Sequence, residues 1–373
     1  MKKRVQSSGP MRLWGFFILR AGSEQLAANS KKARAGGVCL RAIGYSLLAV
    51  CYSLLASSCL LITGLALADD TEAVLMKRRQ QGILTGMPFM ANVTARTFVD
   101  DLGRKIYLAQ APGRVISLAP SITEMLFAIG AQDLVVGVTQ FCDYPPEALQ
   151  KPKVGYAHPN IESIVALEPD LVVAPRESLR TDLLAKLEQL KIPTLILEAK
   201  TVEDIPSHIQ TLGRVLNREP AANAVATDLR QHLARIKSRA ESLPRVRVLY
   251  VLNSQPLITV GPGSFIHQLI GLAGGANIAA DSGQPYPRLN MEAVLQEDPE
   301  VLVFPVGKAE GIPESEQQVW TRWTTLTAVK RGRLRRIPAD LLNRPGPRIV
   351  QGLESLLAII HPEAAESASA VRP

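Results

Sequence analysis

Five short stretches of the sequence set aromatic rings and arginines among prolines: TQFCDYPPEAL (139–149), VGYAHPNIE (154–162), APRES (174–178), GQPYPRLNME (283–292) and ADLLNRPGPR (339–348). The rings of Phe141, Tyr144, Tyr156 and Tyr286, with the charges of Arg176, Arg288 and Arg344, suit stacking and ion pairing around a large planar or macrocyclic molecule. Bond-making chemistry has no comparable support. The chain contains no G-x-x-x-x-G-K-[ST] phosphate loop, no H-E-x-x-H metal helix and no G-x-S-x-G elbow. GPGSFI (261–266) has Ile266 where a dinucleotide fingerprint needs its third glycine, and a tight turn into a helix accounts for it. The histidines (His158, His208, His232, His267, His361) are scattered, so no nucleophile, base and orienting group assemble. No catalytic residue, resident metal or cofactor is expected.

A second signal is a repeat. NIESIVALEPDLVVAP (160–175) aligns without a gap on NMEAVLQEDPEVLVFP (290–305), matching Asn160, Glu162, Pro169, Val173 and Pro175 to Asn290, Glu292, Pro299, Val303 and Pro305. Each asparagine is a good helix N-cap, which puts Glu162 and Glu292 in a first helical turn, where a carboxylate is favoured. Capping alone explains an acid in either place but does not require the same offset in both. Two equivalent lobes would display the two carboxylates as a matched pair, suited to a partner built from two identical subunits.

The elements that must position these residues are short apolar strands alternating with helical segments. TFVDDLGRKIYL (97–108) reads as a hairpin, and RVISLAP (114–120), LVVGV (134–138), LVVAP (171–175) and TLILE (194–198) read as buried strands. SITEMLFAIG opens a helix with Ser121 and Glu124 in capping-box spacing. Residues 221 to 241 give one amphipathic helix with Val225, Leu229, Leu233, Ile236 and Ala240 on a stripe. Strands resume at RVRVLYVL (245–252) and VLVFP (301–305), with a helix from about Ser264 between them. The expected fold is α/β, two similar lobes with mostly parallel sheets joined by one long rigid α-helix. The boundaries are a leader at 1–68, a flexible tether at 69–96, an N-terminal lobe at 97–216, a linking helix at 217–243, a C-terminal lobe at 244–362 and a tail at 363–373.

The net charge of +8 over 373 residues would suggest a polyanion partner, but residues 1–68 hold nine Lys or Arg against the single acid Glu24. Basic and acidic residues then balance over 69–373, so nucleic acid is not an expected partner. The basic leader runs into an uncharged apolar stretch, Ala42 to Ala68, that closes on Ala66-Leu67-Ala68. That pattern reads as a secretory signal, with an uncleaved membrane anchor as the alternative. Cys39, Cys51 and Cys59 lie in the leader, leaving Cys142 alone, without a disulfide partner or a cysteine metal cluster.

Four stretches together, RVISLAPSITEMLFAIGAQDLVVGVTQFCDYPPEA, VGYAHPNIESIVALEPDLVVAP, GPGSFIHQLIGLAGGANIA and PYPRLNMEAVLQEDPEVLV, resemble the periplasmic substrate-binding proteins of ABC importers for cobalamin, ferric siderophores and haem. The resemblance covers about residues 97–362. It implies the helical-backbone metal receptor type of fold, an exported monomer, and delivery of ligand to a permease homodimer with its ATPase subunits. The loop pattern is most similar to the cobalamin binders, whose cleft aromatics fall on Phe141, Tyr156 and Tyr286. Two of their cleft tryptophans are tyrosines here, and another aligns with Pro175. Haem binders of the family use a tyrosine near Tyr156 as iron ligand, so haem is the alternative and ferric siderophore the third. The ligand-contacting set implied is Ser121, Phe141, Asp143, Tyr144, Tyr156, His158, Arg176, Tyr286, Arg288 and Arg344. In the family, the glutamates matching Glu162 and Glu292 dock into arginine-lined pockets on the permease.

Overall fold

The computed structural model describes residues 96–363, apart from 156–158, 180 and 308–310. Every described residue lies in one compact unit, Val93–Pro373. The leader therefore lies outside the described residues, as do the tether and the terminal tail except at Arg96 and Glu363. Among the described residues no helix is long and apolar enough to cross a membrane.

An antiparallel hairpin, β1 (Arg96–Val99) and β2 (Lys105–Leu108), opens the chain. The first lobe then alternates β3 (Val115–Ser117), α1 (Pro120–Ala128), β4 (Val135–Val138), α2 (Ile161–Val165), β5 (Leu171–Ala174), α3 (Thr181–Gln189), β6 (Thr194–Ile196) and α4 (Asp204–Leu216). α5 (Glu219–Glu241) follows. The second lobe contains β7 (Val246–Tyr250), the short pair β8 (Asn253–Ser254) and β9 (Leu257–Ile258), α6 (Phe265–Leu272) and β10 (Gly275–Asn277). It continues with α7 (Met291–Glu297), β11 (Val301–Val306), α8 (Glu314–Trp320), α9 (Thr327–Lys330), β12 (Leu334–Pro338), α10 (Ala339–Asn343) and α11 (Ile349–Ile360).

The two four-stranded sheets have one topology. In order across the sheet they read β4-β3-β5-β6 and β10-β7-β11-β12, so each begins in the second position, steps to one side, then crosses to the other. All pairings within them are parallel. The repeat supplies the inner strand of each, β5 and β11, whose runs of buried Val and Leu suit a strand covered on both faces. It also supplies the helix before it. Asn160 Oδ1 accepts from Ser163 N and Asn290 Oδ1 accepts from Ala293 N, both at 2.8 Å. Even the left-handed residue before each proline is matched, Glu168 at φ 44° and Asp298 at φ 42°. The repeated sequence is thus a repeated capped helix, left-handed turn and buried strand.

α5 buries Ala222, Ala226, Leu229, Ile236 and Ala240, while Val225 and Leu233 of the expected stripe are half-buried against the same core. That core is continuous from Ile122, Met125 and Leu126 of the first lobe through α5 to Leu353, Leu356 and Leu357 of the second. α4 and α5 meet at an elbow where Asn217 adopts φ 54° and accepts from Arg96 Nη1 at 2.7 Å. At the elbow Gly213 faces Ala222 so closely that an added Cβ would collide with the alanine methyl. Gly213→Val should therefore lower stability by about 2–3 kcal/mol, overpacking outweighing any helix-propensity gain. A urea midpoint equal to the parent's would show that the elbow can open.

Two local readings are corrected. Ser121 and Glu124 form no capping box: the helix starts at Pro120 on the N-cap Ala119, which makes no side-chain cap bond, and Glu124 is drawn to a distant arginine instead. The stretch ADLLNRPGPR, whose prolines and position beyond a strand read as a loop, is not all loop, since Ala339–Asn343 forms α10.

Candidate ligand cleft and docking face

In a parallel sheet the carboxyl ends of the strands carry the loops available to a ligand. Ser121 stands in the first turn of α1 just after β3, the loop after β4 holds Phe141, Asp143 and Tyr144, and the segment after β5 holds Arg176. In the second lobe the segment after β10 holds Tyr286 and Arg288, and the segment after β12 holds Arg344. Tyr156 and His158 lie outside the described residues.

Four ionic contacts join the two sets of loops. Arg344 Nη1 donates to Asp143 Oδ1 at 2.6 Å and lies 3.7 Å from Glu124 Oε1. Arg348 donates through Nη2 and Nε to Glu124 Oε1 and Oε2 at 2.6 and 2.9 Å, a bidentate pair. On its own lobe Arg348 Nη1 donates to Asp340 Oδ2 at 2.9 Å. Its guanidinium also lies over the Tyr144 ring, 4.0 Å from the centroid. The carboxyl edges of the two sheets therefore face one another across a charged joint. Burial pushes the Glu124 carboxyl above its ordinary value, against the pull of Arg348 and Arg344. Partial desolvation would also raise Asp143, but the Arg344 hydrogen bond and charge outweigh it and leave that carboxyl below its ordinary value.

The joint changes the setting of two expected contacts. Arg344, expected as an open polar contact, is 6% exposed and already engaged by Asp143 and Glu124. Ser121 is buried beside Gly346 of the second lobe, where an added Cβ would lie 3.4 Å from the Ser121 backbone. Tyr144 is 42% exposed, Asp143 and Arg176 are exposed, and Phe141 and Tyr286 are half-buried, Tyr286 against the main core. Arg288 stands on a separate feature, a cavity of about 400 Å³ between the β8–β9 hairpin and the end of α8, which it lines with Arg322, Trp320 and Trp323. Sequence reasoning missed Glu124 and Arg348 as site residues. Arg348 had a signal, lying four residues past Arg344 in the same Pro-Gly-Pro loop.

Glu162 and Glu292 are exposed in the first turns of α2 and α7. Asn160 N donates to Val154 O, and Val154 N donates to Val138 O at the end of β4, so α2 begins at the carboxyl edge of its sheet. Leu289 N donates to Leu257 O of β9, which places the start of α7 at the corresponding edge. Both carboxylates thus stand at the rim of the edge that carries the joint.

Cys142, His208 and Ser264 are each held by neighbours. Cys142 is fully buried and lies 3.1 and 3.2 Å from the Thr123 and Thr139 hydroxyls, with burial pushing its thiol up. His208 is buried with Nε2 2.7 Å from Asp101 Oδ2. GPGSFI is a turn into α6, where the Ser264 hydroxyl accepts from His267 N. Among the described residues no group of three His, Cys, Asp or Glu side chains could hold a metal ion.

The periplasmic binding protein family model matches residues 115–341. The vitamin B12-binding protein of Vibrio cholerae serotype O1 is 35% identical over 251 residues, 65% of this chain and 87% of the relative. That of Pectobacterium carotovorum is 33% identical over 248 residues, covering 66% of this chain and 87% of the relative. Among solved structures, the periplasmic vitamin B12 binding protein BtuF of Vibrio cholerae matches at a TM-score of 0.60 and 33% identity, over 67% of this chain and 97% of that one. A periplasmic heme binding protein from Pseudomonas aeruginosa matches at 0.59 and 27% identity, over 67% of this chain and 93% of that one. With its duplicated parallel sheets, its long linking helix and a family match that spans both lobes, the chain belongs to the periplasmic binding protein family.

Proposed function

We propose that this protein is exported to the periplasm, captures a cobalamin-type corrinoid between its lobes and delivers it to an ABC permease, with no catalysis of its own. The observation that carries the reading is the facing of two equivalent sheet edges across the Asp143–Arg344 and Glu124–Arg348 joint, in a chain 35% identical to a vitamin B12-binding protein over both lobes. Tyr144, Tyr286 and Phe141 provide flat apolar faces for the macrocycle, with Tyr156 the fourth ring and Asp143, His158 and Arg176 the polar set, while Arg344 acts through the joint. Glu162 and Glu292, one per lobe and equally capped, are the docking pair for the two permease subunits.

Absorbance titration of the purified chain with cyanocobalamin, haemin and a ferric hydroxamate tests the ligand. Cyanocobalamin should bind with a Kd below about 10 μM, roughly −7 kcal/mol, and more tightly than the other two. Tyr286→Ala should weaken that binding by about 1–3 kcal/mol with an unchanged circular dichroism spectrum, because a stacked face loses area and orientation. The haem reading is favoured by the tyrosines at 156 and 286, where the resemblance implies tryptophan in cobalamin binders. A Soret band that survives in the parent and disappears in Tyr156→Phe would establish it and replace the corrinoid.

A further inference from the structure

The long helix ties the lobes through the chain, yet nothing in a helix and an apolar core dictates how far apart two loop-bearing edges should stand. Two first-lobe carboxylates tie those edges, Asp143 and the more deeply buried Glu124. Glu124, on α1 of the first lobe, is 3% exposed and receives the bidentate Arg348 pair, with Arg344 3.7 Å away. Both arginines belong to the single segment after β12, and both are held from a second side, Arg344 by Asp143 and Arg348 by Asp340 and the Tyr144 ring. Among the described residues, Arg348, Arg344 and Asp340, all from the second lobe, are the charged groups that act on Glu124, while Asp143 of the first lobe holds Arg344.

We propose that Glu124 is the positioning residue of the cleft: through Arg344 and Arg348 it fixes the spacing and tilt of the two lobes, and with them the size of ligand that fits between the rings. A buried ion pair contributes little to net stability, because desolvation offsets the attraction, but its bidentate geometry is directional. Apolar packing tolerates small rotations that such a pair does not. The raised Glu124 carboxyl agrees, since desolvation there outruns the help from both arginines. The tie also holds Tyr144 and Arg344 in place, so Glu124 acts on ligand only through neighbours. The link to ligand size rests on the cleft reading above, whereas the link to lobe spacing does not.

The test uses the full chain with Cys39, Cys51 and Cys59 replaced by Ser, and spin labels at Leu190→Cys and Leu295→Cys, exposed positions in the first and second lobes. Pulsed dipolar spectroscopy gives the inter-lobe distance distribution, and cyanocobalamin titration gives affinity. Glu124→Leu with Arg348→Met removes both charges at similar volume and should leave the thermal midpoint near the parent's. The distance distribution should widen by about twofold and cyanocobalamin affinity fall at least about tenfold, because a preorganised cleft has been loosened. Asp340→Asn, at a partly exposed position where folding is safe, should shift both readings the same way by less. An unchanged distribution in the double variant overturns the proposal, and so does a widened distribution with unchanged affinity. Should the parent itself ignore cyanocobalamin, the corrinoid reading fails while the distance distribution still decides the lobe-spacing claim.

Discussion

Reversing both rim carboxylates, Glu162→Arg with Glu292→Arg, should reduce ligand uptake into vesicles carrying the cognate permease by at least about tenfold while ligand affinity stays within about twofold. The two side chains are exposed, and neither takes part in the joint between the lobes. Their loss costs the fold little, because the helix starts are held by Asn160 and Asn290 and an exposed first-turn carboxylate adds only about 0.3–1 kcal/mol. Rim charges steer and register a complex, so reversing both members of the proposed docking pair should turn attraction for a basic partner into repulsion. The double Ala variant should be intermediate. Asn160→Ala with Asn290→Ala is the control, expected to lower stability by about 1 kcal/mol per cap without touching delivery. Full uptake by the double Arg variant would show that the repeated acids serve only their helices.

The repeat was legible because it is local: an N-cap, an acid two positions on, a proline and a buried strand are all written within sixteen residues. The parallel strands and the linking helix were legible for the same reason, from short apolar runs and one long stripe. The joint was not. Arg344 and Asp143 are 201 residues apart, and Arg348 and Glu124 are 224 apart, so no spacing rule could pair them. Glu124 even carried a misleading local signal, three residues after Ser121, which suggested a cap where the fold uses a cross-lobe ion pair. The small β8–β9 pair and β10 were missed because two or three residues are too few to show periodicity. Apolar pattern reports which residues go inside, but the partner of a buried charge is decided by tertiary placement.

Removing one side of the joint should be far more damaging than removing both. Arg348→Ala leaves the Glu124 carboxylate buried with only the more distant Arg344 beside it, and urea unfolding at pH 8 should show a loss of about 3–5 kcal/mol. The pH dependence follows from the direction of the Glu124 shift. Desolvation already raises this carboxyl in the parent, and Arg348 supplies the leading influences opposing it, so the variant's carboxyl rises further. For an acid whose folded value exceeds its unfolded one, stability is fully present below the unfolded value and is lost as pH rises toward the folded value, by about 1.4 kcal/mol per unit. The deficit of Arg348→Ala relative to the parent should therefore shrink as pH falls from 8 toward 5, by at least about 1.4 kcal/mol, as Glu124 takes up a proton and ceases to be an unpaired charge. A deficit independent of pH would mean that Arg344 alone keeps Glu124 ionised. The loss would then reflect the guanidinium's packing over Tyr144 and its bond to Asp340 instead of its charge on Glu124.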